Sequence, residues 1–263
     1  MCHNKAPDIP LATFRKTDPM TQSPKAIFFD LDETLIENVI PIQKLFGEMY
    51  DQFEEQLGFE NKDVFFTTLR SNASTLWATM FETSVSPEQR FLECFAQSVR
   101  ATGTANESQS MELATAMVER FRSLSVNNVR LHDGAQQTLS TLREMGFITG
   151  IITNGMEGGQ LAKIHKLGLE SQVDHLVVSA QARAHKPDAK VFQLAVDRAG
   201  VNPSQAWQVG DHATNDVAGA IRAGMSGVFF DPVGSRSETA FDDLEERPTH
   251  VIQKLRSVVE LVR

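Results

Sequence analysis

The sequence predicts an α/β protein: a Rossmann-like parallel sheet core with an inserted α-helical domain. Three observations predict it. After Asp133-Gly134, short apolar strand candidates alternate with helix candidates that stop at glycine, the pattern of a parallel sheet wrapped on both faces. A strand candidate of the same kind, Lys25–Leu31, stands far upstream. Between the two, Glu37 to Arg130 is polar, helix-period sequence with few strand signals. The expected organisation is an N-terminal extension over residues 1–23, an α/β core over 24–36 and 131–263, and a helical insert over 37–130.

The elements follow in order. Lys25–Leu31 is short, aromatic and β-branched, and Pro24 precedes it. In the insert, Phe46, Met49, Phe53 and Leu57 recur at helical spacing, predicting one amphipathic helix that ends at Gly58. Pro87 suits a first helical position, with Phe91, Leu92, Phe95 and Val99 on one face. The stretch MELATAMVERFRSL predicts another helix. In the core, helices are expected over Ala135–Met145, Glu157–Leu167, Ala189–Ala199 and Asn215–Ala223. Strands are expected over Phe147–Thr153, Val173–Val178, Ala206–Val209 and Gly227–Phe230.

Composition narrows the function classes. A net charge of −9 argues against a general nucleic-acid binder, and means that an anionic substrate needs a local cation. No apolar run is long enough for a spanning helix, so no membrane partner is expected. Residues 1–23 contain no continuous apolar stretch and read as a loose extension rather than a secretory signal. Cys2 and Cys94 are too few for a disulfide framework, which fits a cytoplasmic address. The chain is compatible with a monomer or a dimer.

In open parallel sheets, ligands gather beyond the carboxyl ends of the strands. Here those ends carry Asp30 and Asp32, then Thr153-Asn154-Gly155, then Lys186-Pro187, then Gly210-Asp211 with Asn215-Asp216 just beyond. Several carboxylates stay ionised together only beside a cation. Hard oxygen ligands and an anionic substrate point to Mg²⁺. If the strand continues, the i and i+2 spacing puts Asp30 and Asp32 on one side. One could then attack phosphorus while the other delivers a proton to the leaving oxygen. Thr153 and Asn154, with adjacent backbone N–H groups, suit phosphoryl oxygens, and Lys186 supplies positive charge. Asp211 would complete the metal sphere, and Asp216 would hold the metal or orient a neighbour.

Four stretches together, DLDET (30–34), ITNG (152–155), Lys186-Pro187 and GDHATND (210–216), resemble the haloacid dehalogenase superfamily of phosphohydrolases. LHDGAQQTLSTLREMG (131–146) is similar to that family's return from cap to core. The resemblance implies Asp30 as nucleophile and Asp32 as general acid/base, with the Asp32 backbone carbonyl at Mg²⁺. It implies Thr153 at the phosphate, Lys186 as charge stabiliser, Asp211 at the metal and Asp216 as second acidic position. The helical insert resembles the cap that closes over the site and selects substrate. True dehalogenases lack the second aspartate, so Asp32 favours phosphate-ester hydrolysis. The implied substrate is a small phosphorylated metabolite of the sugar phosphate, nucleotide, flavin mononucleotide or acylneuraminate phosphate class. A phosphomutase, a 2-haloacid dehalogenase and a non-catalytic binding protein are the alternatives.

Plainer readings exist for single residues. Asp30 and Asp32 alone could cap a loop, Thr153-Asn154-Gly155 could be a turn, and Lys186 could be a solvated lysine. His212 could be a metal ligand but is read as a neighbour of the site or a solvent-facing residue, since Mg²⁺ favours oxygen. Arg183 and His185 are read as solvated loop residues, with substrate contact as the alternative. Trp77 and Phe81 are read as insert packing, with pocket lining as the alternative.

Overall fold

The computed structural model describes residues 24–236 and 239–263. The expectation for residues 1–23 lies outside them. The chain opens with β1 (Ala26–Phe29) and β2 (Ile36–Asn38). Five helices follow: α1 (Ile42–Asp51), α2 (Glu54–Leu57), α3 (Lys62–Thr79), α4 (Pro87–Ala101) and α5 (Glu107–Asn127). The chain returns through β3 (Val129–Leu131) and α6 (Ala135–Glu144) to β4 (Ile148–Thr153) and α7 (Glu157–Lys166). Next come β5 (His175–Val178), α8 (Ser179–Ala182), α9 (Ala189–Ala199) and β6 (Ala206–Gly210). A π-helical turn (Ala213–Ala218), α10 (Gly219–Arg222), β7 (Ser226–Phe230), β8 (His250–Ile252) and α11 (Ser257–Leu261) complete it.

Six strands form one parallel sheet in the order β5-β4-β1-β6-β7-β8. The chain winds outward from β1 in both directions, which makes the β1 end the topological switch point of the sheet. Period-two alternation divides β1 between two cores. Ile27 and Phe29 pack with α6 residues Leu139 and Leu142 and with Ile164 of α7. Ala26 and Phe28 pack with α9 residues Val191, Phe192, Ala195 and Val196. Phe28 faces Gly150 across the β1–β4 register, and a Cβ on Gly150 would lie 2.6 Å from the Phe28 ring.

The insert has its own core of Met49, Tyr50, Leu57, Phe65, Leu69, Leu76, Phe95, Val99, Ala114 and Met117, among others. Its helices are capped by their own sequence. Ser86 Oγ accepts from the Gln89 N–H ahead of Pro87 at the first turn. Asn106 and Gln109 form a reciprocal capping box. The single helix expected up to Gly58 is two. The chain tightens at Gln52 and Phe53, whose N–H groups bond to Met49 and Tyr50 carbonyls. This bend brings the Tyr50 hydroxyl to the Gly58 carbonyl at 2.8 Å. The expected strand Lys25–Leu31 ends at Phe29, and the helix expected over Asn215–Ala223 opens as the π-turn. β2 and β3 pair antiparallel as a ribbon between core and insert, with Glu37 opposite Arg130 at 2.8 Å.

Because Gly150 makes room for Phe28, Gly150→Ala should overpack the sheet and cost about 1–3 kcal/mol. Urea unfolding monitored by circular dichroism reads this loss, and wild-type stability would show that Phe28 can move aside.

Candidate functional site

The site begins where β1 stops. Asp30 follows Phe29, and its N–H still bonds to the Val209 carbonyl of β6 at 2.8 Å. The chain then turns, with Glu33 in the left-handed region at φ 59°. Asp30 and Asp32 therefore do not share one strand face, and each meets a different set of partners.

Asp30 points at Lys186. The lysine is 4% exposed, and its Nζ lies 2.6 Å from Asp30 Oδ1, 2.5 Å from Asp216 Oδ1 and 2.9 Å from the Ile152 carbonyl. An ammonium has three protons, and all three are placed. The Lys186 backbone is held as firmly. Asn154 Oδ1 accepts from the Lys186 N–H at 2.8 Å, and Asn154 Nδ2 donates to the Lys186 carbonyl at 3.0 Å. The Asn154 side chain is thus engaged with the lysine loop.

Asp216 reaches the lysine from the π-turn, a kink that often marks functional positions. Gly210 opens its path, since a Cβ there would overlap the Asp216 carboxyl. Asp216 also accepts from Gln208 Nε2 at 3.1 Å and from the His212 N–H at 3.2 Å. His212 itself is exposed, and its Nδ1 accepts from the Asn215 N–H at 3.2 Å. That contact agrees with reading it as a neighbour of the site. Asp211 pairs with Arg236 at 3.2 Å, and Arg236 also donates to the Asp211 carbonyl.

Carboxylate oxygens of Asp30, Asp211 and Asp216 lie within 4.8 Å of one another. One buried ammonium and one rim guanidinium face three carboxylates there. Burial pushes Asp30 up to about 8, Asp216 adds to the rise, and Lys186 opposes it. Burial and Asp216 push Asp211 up to about 6 against the pull of Arg236. For Lys186 burial works downward, but Asp216 and Asp30 outweigh it and hold the ammonium above its usual range. The donor set is all carboxylate oxygen and overloaded with negative charge, so it suits a hard divalent cation. The Asp32 carboxylate stands outside this cluster.

Asp32 is held instead by α7. Gln160 Nε2 donates to its Oδ2 at 2.7 Å, and Lys163 Nζ sits 2.7 Å from its Oδ1. Gln160 Nε2 also reaches Thr153 Oγ1 at 2.7 Å. Neither Gln160 nor Lys163 is legible as a site residue from motif order. Their one signal is an i, i+3 spacing on the helix that follows ITNG.

The lysine loop also touches the insert. His185 packs against both the Trp77 and Phe81 rings, with centroids 4.9 and 4.7 Å away. Arg183 donates to the Phe81 and Thr83 carbonyls at 3.1 Å. Burial depresses the His185 imidazole below its usual range. Arg183 and His185, expected to be solvated, thus bridge core and insert.

A family profile described as haloacid dehalogenase-like hydrolase matches residues 27–230. A glyceraldehyde 3-phosphate phosphatase of Methanopyrus kandleri is 31% identical over 58% of this chain, and the match spans 65% of that relative's length. A pyrimidine 5′-nucleotidase of Escherichia coli is 30% identical over 76% of the chain and 83% of its own length. The crystal structure of a 2-haloacid dehalogenase from Pseudomonas syringae superposes with a TM-score of 0.73 at 25% identity, covering 91% of this chain and 98% of that one. With the parallel sheet, the switch-point aspartate and the buried lysine already in place, the match over residues 27–230 means that this chain belongs to the haloacid dehalogenase-like hydrolases.

Proposed function

We propose that this chain is a Mg²⁺-dependent phosphomonoester hydrolase acting on a small phosphorylated metabolite. The observation that carries the reading is Asp30 itself. It is a buried carboxylate at the end of a central strand, bonded to a buried lysine and grouped with two further aspartates. Two relatives bear names that specify phosphate monoesters, which supports the substrate class.

Asp30 would attack phosphorus, forming an aspartyl-phosphate as the bond to the leaving oxygen breaks. Asp32 would give its proton to the departing alkoxide, then take one from the water that attacks the phosphoryl group. Breaking the acyl-phosphate bond returns Asp30 and yields inorganic phosphate. Lys186 would keep Asp30 aimed while balancing its charge, and the Thr153 hydroxyl with the Asn154 N–H would bind phosphoryl oxygens. Asp30, Asp211 and Asp216, with the Asp32 carbonyl, would hold Mg²⁺, which supplies charge neutralisation for carboxylates and phosphate. The insert would act as the cap, with Trp77, Phe81 and His185 at its seam with the core.

The dehalogenase among the structural neighbours raises the other hydrolytic reading. Asp32, anchored by α7 near Thr153, favours ester hydrolysis, because it offers the proton that an alkoxide needs and a halide does not. Among the described residues, no helix is long and apolar enough to cross a membrane.

Wild-type protein should release phosphate from 4-nitrophenyl phosphate with Mg²⁺ and lose this activity in EDTA. Asp30→Asn should lower turnover by about a thousandfold or more. Inactivity across a broad panel of phosphate esters would end the hydrolase reading, whereas full activity in Asp30→Asn would end only the covalent route.

Asp211 generates a second expectation. Between pH 3.8 and about 6 the folded chain keeps a proton that the unfolded chain has released, so metal-free stability falls as pH rises through that window. Asp211→Asn should therefore raise the metal-free melting temperature at pH 7, by roughly 2–4 °C per kcal/mol relieved. The variant should also lose most of the stabilisation that Mg²⁺ confers on wild type. Calorimetric melting with and without Mg²⁺ measures both, and an undiminished Mg²⁺ response would remove Asp211 from the metal site.

A further inference from the structure

We infer that Gln160 and Lys163 are positioning residues, and that Gln160 is a strut tying the proton-transfer aspartate to the phosphate-binding threonine. The inference rests on the hydrolase reading and names residues of α7 that the motifs do not include.

Gln160 is 5% exposed, and its amide nitrogen faces three acceptors: Asp32 Oδ2 at 2.7 Å, Thr153 Oγ1 at 2.7 Å and the Asn154 carbonyl at 3.2 Å. A carboxylate and a carbonyl only accept, so the NH₂ end must point their way. Its two protons go to the two short contacts. Thr153 Oγ1 is thereby an acceptor from Gln160, which leaves its single hydroxyl proton for another partner. The partner at hand is the Asn154 carbonyl at 3.4 Å, a long contact. A phosphoryl oxygen is the stronger acceptor. Gln160 therefore sets Thr153 as a donor toward substrate. Through the same nitrogen it fixes one oxygen of Asp32, and Lys163 fixes the other.

The backbone is shaped to let this happen. Gly155 sits at φ 156°, and a Cβ there would lie 2.7 Å from Gln160 Cγ and 2.9 Å from Cδ. A side chain at position 155 would push the strut away. The helix that carries it is anchored by Ile164 in the main core, so both contacts stand on a rigid element. An amide satisfied merely for burial would need neither the glycine gap nor a partner in each half of the site.

The test uses the full chain with Mg²⁺, 4-nitrophenyl phosphate for turnover and calorimetric titration with orthophosphate for binding. Gln160→Glu substitutes an acceptor where a donor stood. It should weaken orthophosphate binding by about tenfold and lower kcat by about tenfold or more. Gln160→Met keeps the volume without the hydrogen bonds and should show the same direction at wild-type-like melting temperature. Among the described residues, the Lys163 ammonium has Asp32 as its one polar side-chain partner. Lys163→Met should lower kcat by about tenfold with orthophosphate affinity within about twofold, and Lys163→Arg should restore kcat. Unchanged orthophosphate affinity and turnover in Gln160→Glu would overturn the strut, as would absence of orthophosphate binding in wild type. If losses in every variant merely track lost thermal stability, the residues are packing and the inference fails. If wild type hydrolyses no ester, yet Gln160→Glu still weakens orthophosphate binding, the strut stands and the hydrolase reading falls.

Discussion

The Lys186 ammonium is the contact on which the site depends. Its three acceptors come from the end of β1, the end of β4 and the turn after β6, so one buried cation joins three separate strand ends. A buried charge is tolerable only when paired and fully hydrogen-bonded, and this one is. The pairing works in both directions. Without the lysine, Asp30 and Asp216 would face each other as buried like charges; without them, the lysine would be a stranded cation. The doubly bonded Asn154 keeps the lysine from relaxing away from this compromise.

Close approach is the second constraint, and glycine provides it. Gly210 admits Asp216, Gly155 admits Gln160, and Gly150 admits the Phe28 ring. In each case a missing side chain on one strand end or strand face lets a functional or core side chain of another element pass. The site is therefore built as much from what Gly210 and Gly155 lack as from what the aspartates and lysine bring, and the sheet beneath it uses Gly150 in the same way.

Much of this was legible in the chain itself. Core strands and helices stood out because short apolar runs alternated with periodic segments stopped by glycine, and Ala189–Ala199 matches its expected bounds. The meeting of Asp30, Lys186, Asp211 and Asp216 followed from strand order, because parallel strands place their carboxyl ends on one edge. Other parts were hidden for physical reasons. The hydrophobic stripe of α3, Phe65, Leu69 and Leu76, is diluted by Thr67, Thr68, Ser71, Asn72, Ser74 and Thr75. β2 and β3 have three residues each and include charged ones, so they carry no strand period. The divergence of Asp30 and Asp32 depends on the strand ending at Phe29 and the chain turning from Leu31, a stop that the continuous apolar run does not advertise. Gln160 and Lys163 were invisible because an amide and an amine on a helix face usually mean only solvation. The bridge from Arg183 and His185 to the insert was invisible because it is made across more than a hundred residues with backbone carbonyls and ring faces.

The ribbon at the base of the insert has a consequence for the insert itself. Asn38 and Val129 are cross-strand partners, so the two ends of the insert leave the core side by side, about 5 Å apart. Asn128 staples them further, accepting from the Ile40 N–H at 2.9 Å and donating to the Ile40 carbonyl at 2.8 Å. Ends that close together ask nothing of the sheet below. A tight hairpin would bridge them as readily as five helices, and so would an unrelated module with neighbouring termini. The junction is a socket: what is plugged into it can change in length or fold without disturbing the sheet and the aspartate cluster beneath.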